Sequence, residues 1–493
     1  MKKPVLFLLL TTASVQLIAG GLVTNTSQSA MFTRFQCRDA TIDIDAAFYN
    51  PAGLVHLSNG FYLSINNQTT GQLKLITSEY ENFTGDTREF RGRVLSPMFP
   101  GLYGVYKRGR FAFSMGINPI GGDGITRYED GLPSYEREVA DIISSVRDNL
   151  GTIDESLASV TEDPLYRNIL AYESDMRIKT GSIYTGYQLN AAYAINEYIS
   201  VAAGIRAVDA KTSIQTELSN IVLDVATKTE SYKTTAEDYL RSIATDAVRI
   251  LDTLNTDFLI AAADRLIALP GMQADVNQSG RGLTPVISIN YAPSLRTNWS
   301  LRYEFGTRLD LKTNVIDGKD GGGRYKDGSS ETVYIPAMLS VGVTRRPFYR
   351  LMIYSGIHYY FNKPVRIQEE NGLDLDNLDN NSYEFALGAE YKLCNDIRLS
   401  AGWLFKRPGT NMANQVESRY TLASNTIGTG LGLRLSRLID LSIGGSYTLY
   451  KKDGRNITYT PADSNAEVIV KEYYDTRKWV LSVGVDFLFG ESH

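Results

Sequence analysis

Hydrophobic and polar residues alternate along much of this chain. Between positions 301 and 311, leucine, tyrosine and phenylalanine fill most odd positions, whereas arginine, glutamate, glycine and aspartate fill the even ones. The same division recurs over 397–405 and 479–489. A period of two residues is typical of β-strands with one apolar face, so the pattern predicts an all-β protein.

These alternating segments are longer than typical strands, which run about five or six residues. About ten tilted residues cross a bilayer as a strand. Because the polar face carries many Gly, Ser, Arg and Asp residues, we predict membrane-spanning strands whose apolar face contacts lipid and whose polar face lines a lumen. Beyond residue 20, no apolar run approaches the roughly 18 residues that a spanning helix needs.

Short and long connections alternate between the predicted strands. Short turns on one side and long loops on the other are typical of outer-membrane barrels, and closing the sheet satisfies every backbone polar group in lipid. The sequence therefore predicts a transmembrane antiparallel β-barrel of about 14 strands. The predicted strands lie near 60–76, 93–107, 110–124, 181–195, 197–212, 282–293, 298–316, 333–345, 350–366, 382–393, 396–408, 424–436, 439–454 and 475–489.

Two long connections, near 134–178 and 218–270, contain apolar residues at helical spacing. In the second, Leu240, Ile243 and Ala247 lie three and four residues apart, and Pro270 ends the pattern. We predict helical extracellular insertions at both places. Their role is either to pack as loops or to gather a hydrophobic ligand at the barrel mouth.

The N-terminus has the features of a secretory signal peptide. Lys2 and Lys3 precede an apolar stretch, and small residues follow it near position 20. This pattern predicts a signal peptide over 1–20, a compact segment over 21–58 and the barrel over 59–489.

The compact segment contains the sequence Phe-Tyr-Asn-Pro-Ala-Gly-Leu at 48–54, which suits neither a helix nor a strand. Pro51 fixes φ, and Gly53 permits a tight turn. The lumen of a 14-strand barrel is wide enough to need filling or to conduct water. We therefore expect this segment to lie in the lumen as a plug, or hatch.

Composition narrows the function. The 493 residues carry a net charge of −5, which disfavours nucleic-acid binding. Three histidines and two cysteines leave little material for a metal or haem site, and we expect no cofactor. The sequence contains no GxSxG, P-loop, CxxC or HExxH motif, so we predict no catalytic residues and no enzyme. Cys37 and Cys394 either form a disulfide that tethers the plug or stay apart.

The stretch AFYNPAGLVHL, which follows the signal peptide, resembles the hatch of the FadL/TodX-type outer-membrane transporters of long-chain fatty acids and hydrocarbons. The stretches TGYQLNAAYAINEYISVAAGIRAVDAK, YIPAMLSVGVTRR and SYEFALGAEYKLCNDIRLSAGWLFKRPG are also similar to that family. The resemblance spans nearly the whole mature chain, although barrels of the family commonly end on an aromatic residue, whereas Gly-Glu-Ser-His follows Phe489 here.

The resemblance implies passive uptake of long-chain fatty acids or other hydrophobic small molecules across the outer membrane of a Gram-negative cell. The ligand would gather near the helical loops, enter a pocket against the hatch and leave sideways past a kinked third strand. The expected partners are this ligand and outer-membrane lipid, and the chain is expected to be a monomer. The implied hatch residues are Phe48, Tyr49, Asn50, Pro51, Ala52, Gly53 and Leu54.

The third predicted strand contains Pro119, Gly121 and Gly122. Proline removes a donor from the ladder, and paired glycines permit a kink. On the functional interpretation these residues form the lateral opening. On the alternative interpretation they are an ordinary strand end near the outer rim.

A fatty acid also needs a partner for its carboxylate. The resemblance places Lys211, in the sequence IRAVDAK, at the family's basic ligand-binding position. Strand alternation instead points Arg206 inward and Lys211 outward unless a bulge intervenes, so both remain candidates for ligand binding. Arg302, Arg308 and Arg434 are also expected to face the lumen.

Two other functions fit the same barrel. One is an outer-membrane receptor, for example for haem, or an adhesin; the scarcity of histidine counts against haem, although tyrosine can also ligate it. The other is an outer-membrane enzyme, for which no nucleophile arrangement is seen. A general porin would leave the lumen open, which the predicted hatch argues against.

Overall fold

Antiparallel β-strand makes up most of the chain in the computed structural model, which describes residues 29–157, 168–227, 230–250, 256–269, 273–362, 380–412, 415, 417–418, 420–461 and 466–490. The predicted signal peptide and the first residues of the predicted hatch lie outside the described residues. The strands are β1 (Gly60–Glu79), β2 (Thr87–Arg108), β3 (Phe111–Tyr128), β4 (Asn168–Ala194), β5 (Ile199–Ala226), β6 (Ser231–Thr235), β7 (Ala274–Ser294), β8 (Thr297–Glu304), β9 (Thr307–Asp320), β10 (Ser330–Ile335), β11 (Ala337–Phe348), β12 (Leu351–Phe361), β13 (Ser382–Lys392), β14 (Ile397–Arg407), β15 (Ser424–Arg434), β16 (Ile439–Tyr450), β17 (Asp453–Tyr459) and β18 (Val468–Gly490).

These segments close into a barrel of 14 strands. β1 pairs with β2 on one side and with β18 on the other, from Gly60 opposite Gly490 to Glu79 opposite Lys471. Four wall positions hold two successive segments each, namely β6 with β7, β8 with β9, β10 with β11 and β16 with β17. The predicted antiparallel barrel of about 14 strands is therefore confirmed.

Side chains alternate between the lumen and the outer surface. On β5, Ala202, Arg206 and Val208 are buried inside, whereas Ile205 is exposed outside. A band of large apolar side chains on the outside of a closed barrel is the surface of a membrane-spanning barrel. The exposed apolar residues include Phe61, Ile65, Leu189, Leu283, Ile287, Ile289, Ile357, Leu481 and Val483.

The wall strand formed by β8 and β9 reverses its two faces at 305–306. Arg302 is buried in the lumen, but beyond the break the buried positions are Leu309 and Leu311. Arg308 therefore points outward with 63% of its side chain exposed, and the prediction that it faces the lumen is wrong. A one-residue offset moves every later side chain to the other face, which uninterrupted counting could not show.

The chain before β1, residues 29–57, is compact and lies inside the barrel; we call it the N-terminal segment. It contains the helices α1 (Ala30–Phe35) and α2 (Ala46–Tyr49) and a 3₁₀ helix (Pro51–His56). α1 contacts β13, β14, β15 and β16, whereas the 3₁₀ helix contacts β4, β5 and β7 on the other side of the lumen.

The long-loop end of the barrel carries three further helices, α3 (Pro133–Leu157), α4 (Ala236–Ile250) and α5 (Asp257–Ala268). The neighbouring strands extend farther than predicted, since β4 begins at Asn168 and β5 continues to Ala226. In the described part of the chain, no helix is long and apolar enough to cross a membrane. The helices bury an apolar cluster against the strands that includes Phe90, Tyr128, Val139, Ile143, Tyr172, Met176, Leu240, Ile243, Leu259 and Leu266.

Candidate functional site: the lumen and a break in its wall

Local hydrogen bonds set the shape of the N-terminal segment. The Ser29 hydroxyl caps α1 by accepting from the amide of Phe32 at 3.0 Å, and Gln36 ends the helix in the left-handed region at φ 59°. Pro51 begins the 3₁₀ helix, where its missing N–H costs nothing. All seven predicted hatch residues, 48–54, are buried.

A buried arginine holds this segment together. Arg38 is fully buried, and its guanidinium donates to the Asp45 carboxylate at 2.7 and 2.9 Å and to Asp43 at 2.6 Å. It also lies over the rings of Phe35 and Tyr354, at 5.3 and 5.6 Å from their centroids. Removing one partner of such a pair leaves an uncompensated buried charge, so Arg38 is central to the fold of the segment.

Inward-facing glycines let the segment lie directly against the barrel wall. A Cβ on any of five glycines would lie closer than 3.0 Å to atoms of residues 33–40. Gly342 is opposite Gly356, and Gly402 is opposite both Gly388 and Gly428 in the strand register. We call this set the glycine track; its members are Gly342, Gly356, Gly388, Gly402 and Gly428.

The other side of the segment is held by polar side chains from β5 and β7. The Asn50 amide donates to Asn290 Oδ1 at 2.7 Å. The backbone N–H of Ala52 donates to the Ser288 hydroxyl at 3.0 Å, and the carbonyl of Ala52 accepts from Ser200 at 2.7 Å. The wall thus holds Asn50 through its side chain and Ala52 through its backbone.

Phe48 lies between two arginines of the wall. The guanidinium carbons of Arg206 and Arg302 are 4.7 and 5.3 Å from its ring centroid. Glu304 pairs with Arg206 at 2.7 Å and with Arg302 at 3.1 Å, and Gln188 accepts from Arg206 at 2.6 and 2.9 Å. A ligand carboxylate at Arg206 would therefore have to displace Glu304.

Lys211, the other candidate for ligand binding, does not reach the lumen. Its side chain is 74% exposed on the outer face, 3.7 Å from Asp209. β5 pairs with β7 without a bulge in this region, and Lys211 is opposite Ser279. The two candidates are therefore on opposite sides of the wall, as strand alternation indicated.

A chain of charged groups also joins the segment to β12, β13 and β14. Asp39 accepts from His358 Nε2, and His358 Nδ1 is 2.8 Å from Glu384. Lys406 pairs with Glu384 at 3.4 Å, and the Tyr360 hydroxyl donates to it at 3.2 Å. Because Asp39 and His358 are 319 residues apart, sequence reasoning had no local signal that would pair them.

β3 is irregular at the three residues predicted to form the lateral opening. Its pairing with β4 shifts between Pro119 and Gly121 and again between Gly121 and Gly124. Its pairing with β2 is absent over 95–101 of β2. Gly122 has φ +99°, a conformation that favours glycine. The hydrogen-bonded pairing of β3 with β2 is therefore interrupted here, whereas β3 stays paired with β4 at Pro119, Gly121 and Gly124.

The surplus of residues in β3 can be counted. From Ile117 opposite Tyr187 to Thr126 opposite Thr180, β3 uses nine residue steps and β4 uses seven. The two extra residues form bulges, which bend a strand away from its neighbours. Ile120, within the bulge, points inward and packs in the same apolar cluster as Phe48.

A small cleft lies where α3 meets the barrel. Its volume is about 10 Å³, room for about one water molecule, and its walls come from α3, β4, β5 and the end of the α5 region. Most of the side chains that line the cleft are apolar, and the cleft lies at the long-loop end of the barrel. The lining residues are Tyr135, Glu138, Val139, Met176, Thr216, Leu218 and Leu269.

A buried ionic network ties α3 to a long loop above the lumen. Arg137 pairs with Glu417 at 3.2 Å and with Glu472 at 2.8 Å, and Arg455 pairs with Glu472 at 2.8 Å. The amide of Ser134 donates to Glu417 at 3.0 Å. Burial, and then the nearby Glu472 carboxylate, raise the pKa of Glu417 to about 7.

We expect the protection of the Ser134 amide against hydrogen exchange to fall between pH 5 and pH 8. When the loop opens, Glu417 enters water and regains a pKa near 4.5. Because the closed state binds the proton more tightly, Glu417 contributes its full stabilisation of the closed loop below about pH 4.5. This stabilisation is lost as the pH rises through about 7. Peptide-level hydrogen exchange of α3, corrected for the pH dependence of the intrinsic exchange rate, measures this protection.

The matched variants for this experiment are Glu417→Gln and Glu217→Gln. The first mimics the protonated group and should keep the protection at both pH values. The second removes an exposed carboxylate on the outside of β5 and should leave the pH dependence unchanged. Protection that does not vary with pH in the unaltered protein would contradict the prediction.

The two cysteines are free thiols, with Cys37 buried and Cys394 exposed. Of the two alternatives left open by the sequence, the structure therefore has the separate thiols. Arg38, Asp39 and the glycine track were not singled out from sequence, although glycine on the polar face of several strands was an available signal.

The exposed apolar band, the 14-strand closure and the occupied lumen define a membrane β-barrel with an internal segment. Its fold is that of the FadL/TodX-type outer-membrane transporters. The crystal structure of a Pseudomonas aeruginosa FadL homologue is similar with a TM-score of 0.63 and 14% identity, over 95% of this chain and 100% of that one. The crystal structure of the Pseudomonas putida toluene transporter TodX is similar with a TM-score of 0.52 and 12% identity, over 92% and 95%. No family model and no curated protein matches the sequence.

Proposed function

We propose that this chain is a channel for passive uptake of hydrophobic small molecules across the outer membrane of a Gram-negative cell, with the N-terminal segment as its hatch. The observation that carries this proposal is the break in β3, because it interrupts the pairing of β3 with β2 beside an otherwise filled lumen. A hydrophobic molecule can leave by such a break into lipid without crossing water. The fold shared with a FadL homologue and a toluene transporter supports the same class of function.

The proposed route has three parts. The ligand first gathers at the long-loop end, where the helices pack over an apolar cluster. It then reaches the hatch, where the buried apolar cluster around Phe48 and Leu54 would have to open to admit it. Finally it leaves through the wall at Pro119, Gly121 and Gly122. No energy source is needed, since transfer from water into lipid is favourable for apolar molecules.

The ligand class is argued from Arg206 and Lys211. Arg206 is already paired with Glu304, and Lys211 lies outside the lumen. Because a buried carboxylate is costly unless it is paired, we infer that the lumen beside Phe48 suits a neutral hydrocarbon better than a long-chain fatty acid.

This function is tested by ligand binding to the folded, detergent-solubilised full chain. Labelled hexadecane and labelled palmitate are titrated against the unaltered protein, Asn50→Ala and Asn277→Ala. We expect saturable binding that is tighter for hexadecane and weaker in Asn50→Ala, because loss of the bond to Asn290 loosens the hatch. Asn277 is exposed on β7, so its variant should bind normally.

Two results would count against this account. If neither ligand binds while the barrel is folded, uptake of hydrophobic molecules is wrong and a receptor or adhesin becomes the better interpretation. If palmitate binds tighter than hexadecane, the channel stands but the inference of a neutral ligand fails.

A further inference from the structure

The short-turn end of the barrel carries a cluster of cations and apolar side chains that the proposed uptake route does not use. It is formed by the turn between β7 and β8, the adjacent turn between β11 and β12, and the end of β13. We call it the basic rim patch. Its members are Arg296, Arg345, Arg346, Arg350, Lys392, Leu295, Phe348 and Tyr349.

Backbone hydrogen bonds hold the parts of the basic rim patch together. The amide of Arg346 donates to the carbonyl of Arg296 at 2.7 Å, and the amide of Lys392 donates to the carbonyl of Arg350 at 2.8 Å. The Lys392 ammonium lies 5.3 Å from the centroid of the Tyr349 ring. The cations therefore come from three neighbouring strand ends and form one surface.

The part of the chain that the structure describes leaves the positive charge of the patch without neutralising partners. The four arginines of the patch are exposed, and among the described residues no carboxylate forms an ion pair with any of its five cations. The contrast is Arg434, two turns farther along the rim, which pairs with Asp440 at 3.2 Å. Five cations without carboxylate partners attract a ligand that carries negative charge.

The same surface exposes large apolar side chains. Leu295 is fully exposed, and Phe348 and Tyr349 are 71% and 75% exposed. Just above them on the outer wall lie Tyr291 and Trp299, both nearly half exposed, in the position of an aromatic girdle. Apolar side chains beside arginines at the edge of the apolar band suit the boundary between acyl chains and head groups.

We propose that the basic rim patch binds the phosphate head groups of anionic phospholipids in the inner leaflet of the membrane. The guanidinium groups would bind phosphate oxygens through paired N–H donors, while Phe348 and Tyr349 enter the acyl boundary. This proposal rests on the membrane placement in the proposed function. It adds a lipid-binding site that is separate from the lumen.

The test uses Trp299 as the reporter, because it lies on β8 close to the patch. Trp403→Phe and Trp479→Phe remove the other two tryptophans. The full chain is reconstituted in phosphatidylcholine vesicles that contain brominated phosphatidylglycerol or, at the same mole fraction, brominated phosphatidylcholine. Quenching of Trp299 fluorescence gives the relative association of the two lipids. We expect a preference for phosphatidylglycerol of about five-fold or more, the factor that one cation near an anionic surface supplies.

Two four-site variants lower the charge equally. Neutralising the patch should abolish the preference, whereas neutralising four exposed cations at the opposite end should preserve it. The patch variant is Arg296→Gln, Arg345→Gln, Arg346→Gln and Arg350→Gln. The control variant is Arg91→Gln, Arg93→Gln, Arg127→Gln and Lys211→Gln.

The outcomes separate this proposal from the proposed function. Equal quenching by both brominated lipids in the protein with the unaltered patch would overturn the lipid site. The membrane barrel would still stand, and an acidic protein would become the favoured partner of this surface. An equal loss of preference in both four-site variants would also overturn it, because the effect would then be one of net charge. No quenching by either lipid would contradict the membrane placement itself.

Discussion

Replacing Arg38 with methionine should release the N-terminal segment from the lumen. Arg38 neutralises Asp43 and Asp45 at 2.6 and 2.7 Å inside the barrel, and methionine leaves the buried Asp45 carboxylate without a cation. Removing one partner of a buried ion pair costs about 3–5 kcal/mol. The segment also packs apolar side chains such as Phe32, Phe35 and Phe48 against the wall, so we expect transient undocking that is more frequent, with the barrel intact.

The buried thiol of Cys37 reports this undocking directly. In a Cys394→Ser background, alkylation of the folded protein measures how often the segment opens, provided that reclosing is fast. A loss of about 3–5 kcal/mol corresponds to alkylation that is roughly 150- to 5,000-fold faster. Thermal gel shift and circular dichroism check that the barrel remains folded.

Two further variants make the Arg38 experiment specific. Arg91→Met removes an arginine that is exposed and pairs with Glu89 on the outer face, and it should leave the alkylation rate unchanged. Adding Asp45→Asn to Arg38→Met removes the orphaned charge and should restore part of the protection. If Cys37 is alkylated as slowly in the Arg38→Met variant as in the unaltered protein, the ionic network does not hold the segment.

Substituting valine for Gly402 should displace α1 from the wall. The new Cβ would lie closer than 3.0 Å to the carbonyl oxygen, carbonyl carbon and Cα of Phe35. These are backbone atoms, which cannot turn aside as a flexible side chain can. Overpacking typically costs about 1–3 kcal/mol, so we expect Cys37 alkylation to rise about 5- to 150-fold.

The matched control for Gly402→Val is Gly445→Val on β16. A Cβ at Gly445 would meet no atom closer than 3.5 Å, and valine suits a strand. This control should leave Cys37 protected. Equal protection in the two variants would show that the glycine track is not the contact surface of the segment.

Lipid explains why so much of the fold could be predicted. A spanning strand must place apolar side chains outside and polar ones inside, so its period of two is visible without tertiary information. Every predicted segment became a wall strand for this reason. The prediction failed at Arg308 because one extra residue at 305–306 reversed the faces, and no composition signal marks such an offset.

The interior was predictable only in part. Pro51 and Gly53 marked a compact element, and Pro119 with Gly121 and Gly122 marked an irregular strand. The partners of these elements were not predictable, since Asp39 meets His358 only after the barrel closes around the segment. Strand alternation was enough to assign Arg206 to the lumen. Its ion pair with Glu304 could not be predicted, because the two residues lie on different strands, β5 and β8.

The central claim is that hydrophobic molecules leave the lumen through the break in β3, and uptake by a shortened β3 tests it most directly. Deleting Gly122 and Asp123 shortens β3 by two residues, the size of its surplus over β4, so that the two strands span this region with equal numbers of residue steps and the alternation of faces beyond it is kept. The control deletes Gly322 and Gly323 from the turn after β9.

The measurement is the initial rate of labelled hexadecane and palmitate uptake by Gram-negative cells that produce each protein in place of their own transporter of this kind. We predict that deleting 122–123 lowers uptake at least 10-fold, with a folded barrel and a protected Cys37, and that the control deletion leaves uptake unchanged. Uptake at the unaltered rate after deletion of 122–123 would contradict the lateral route.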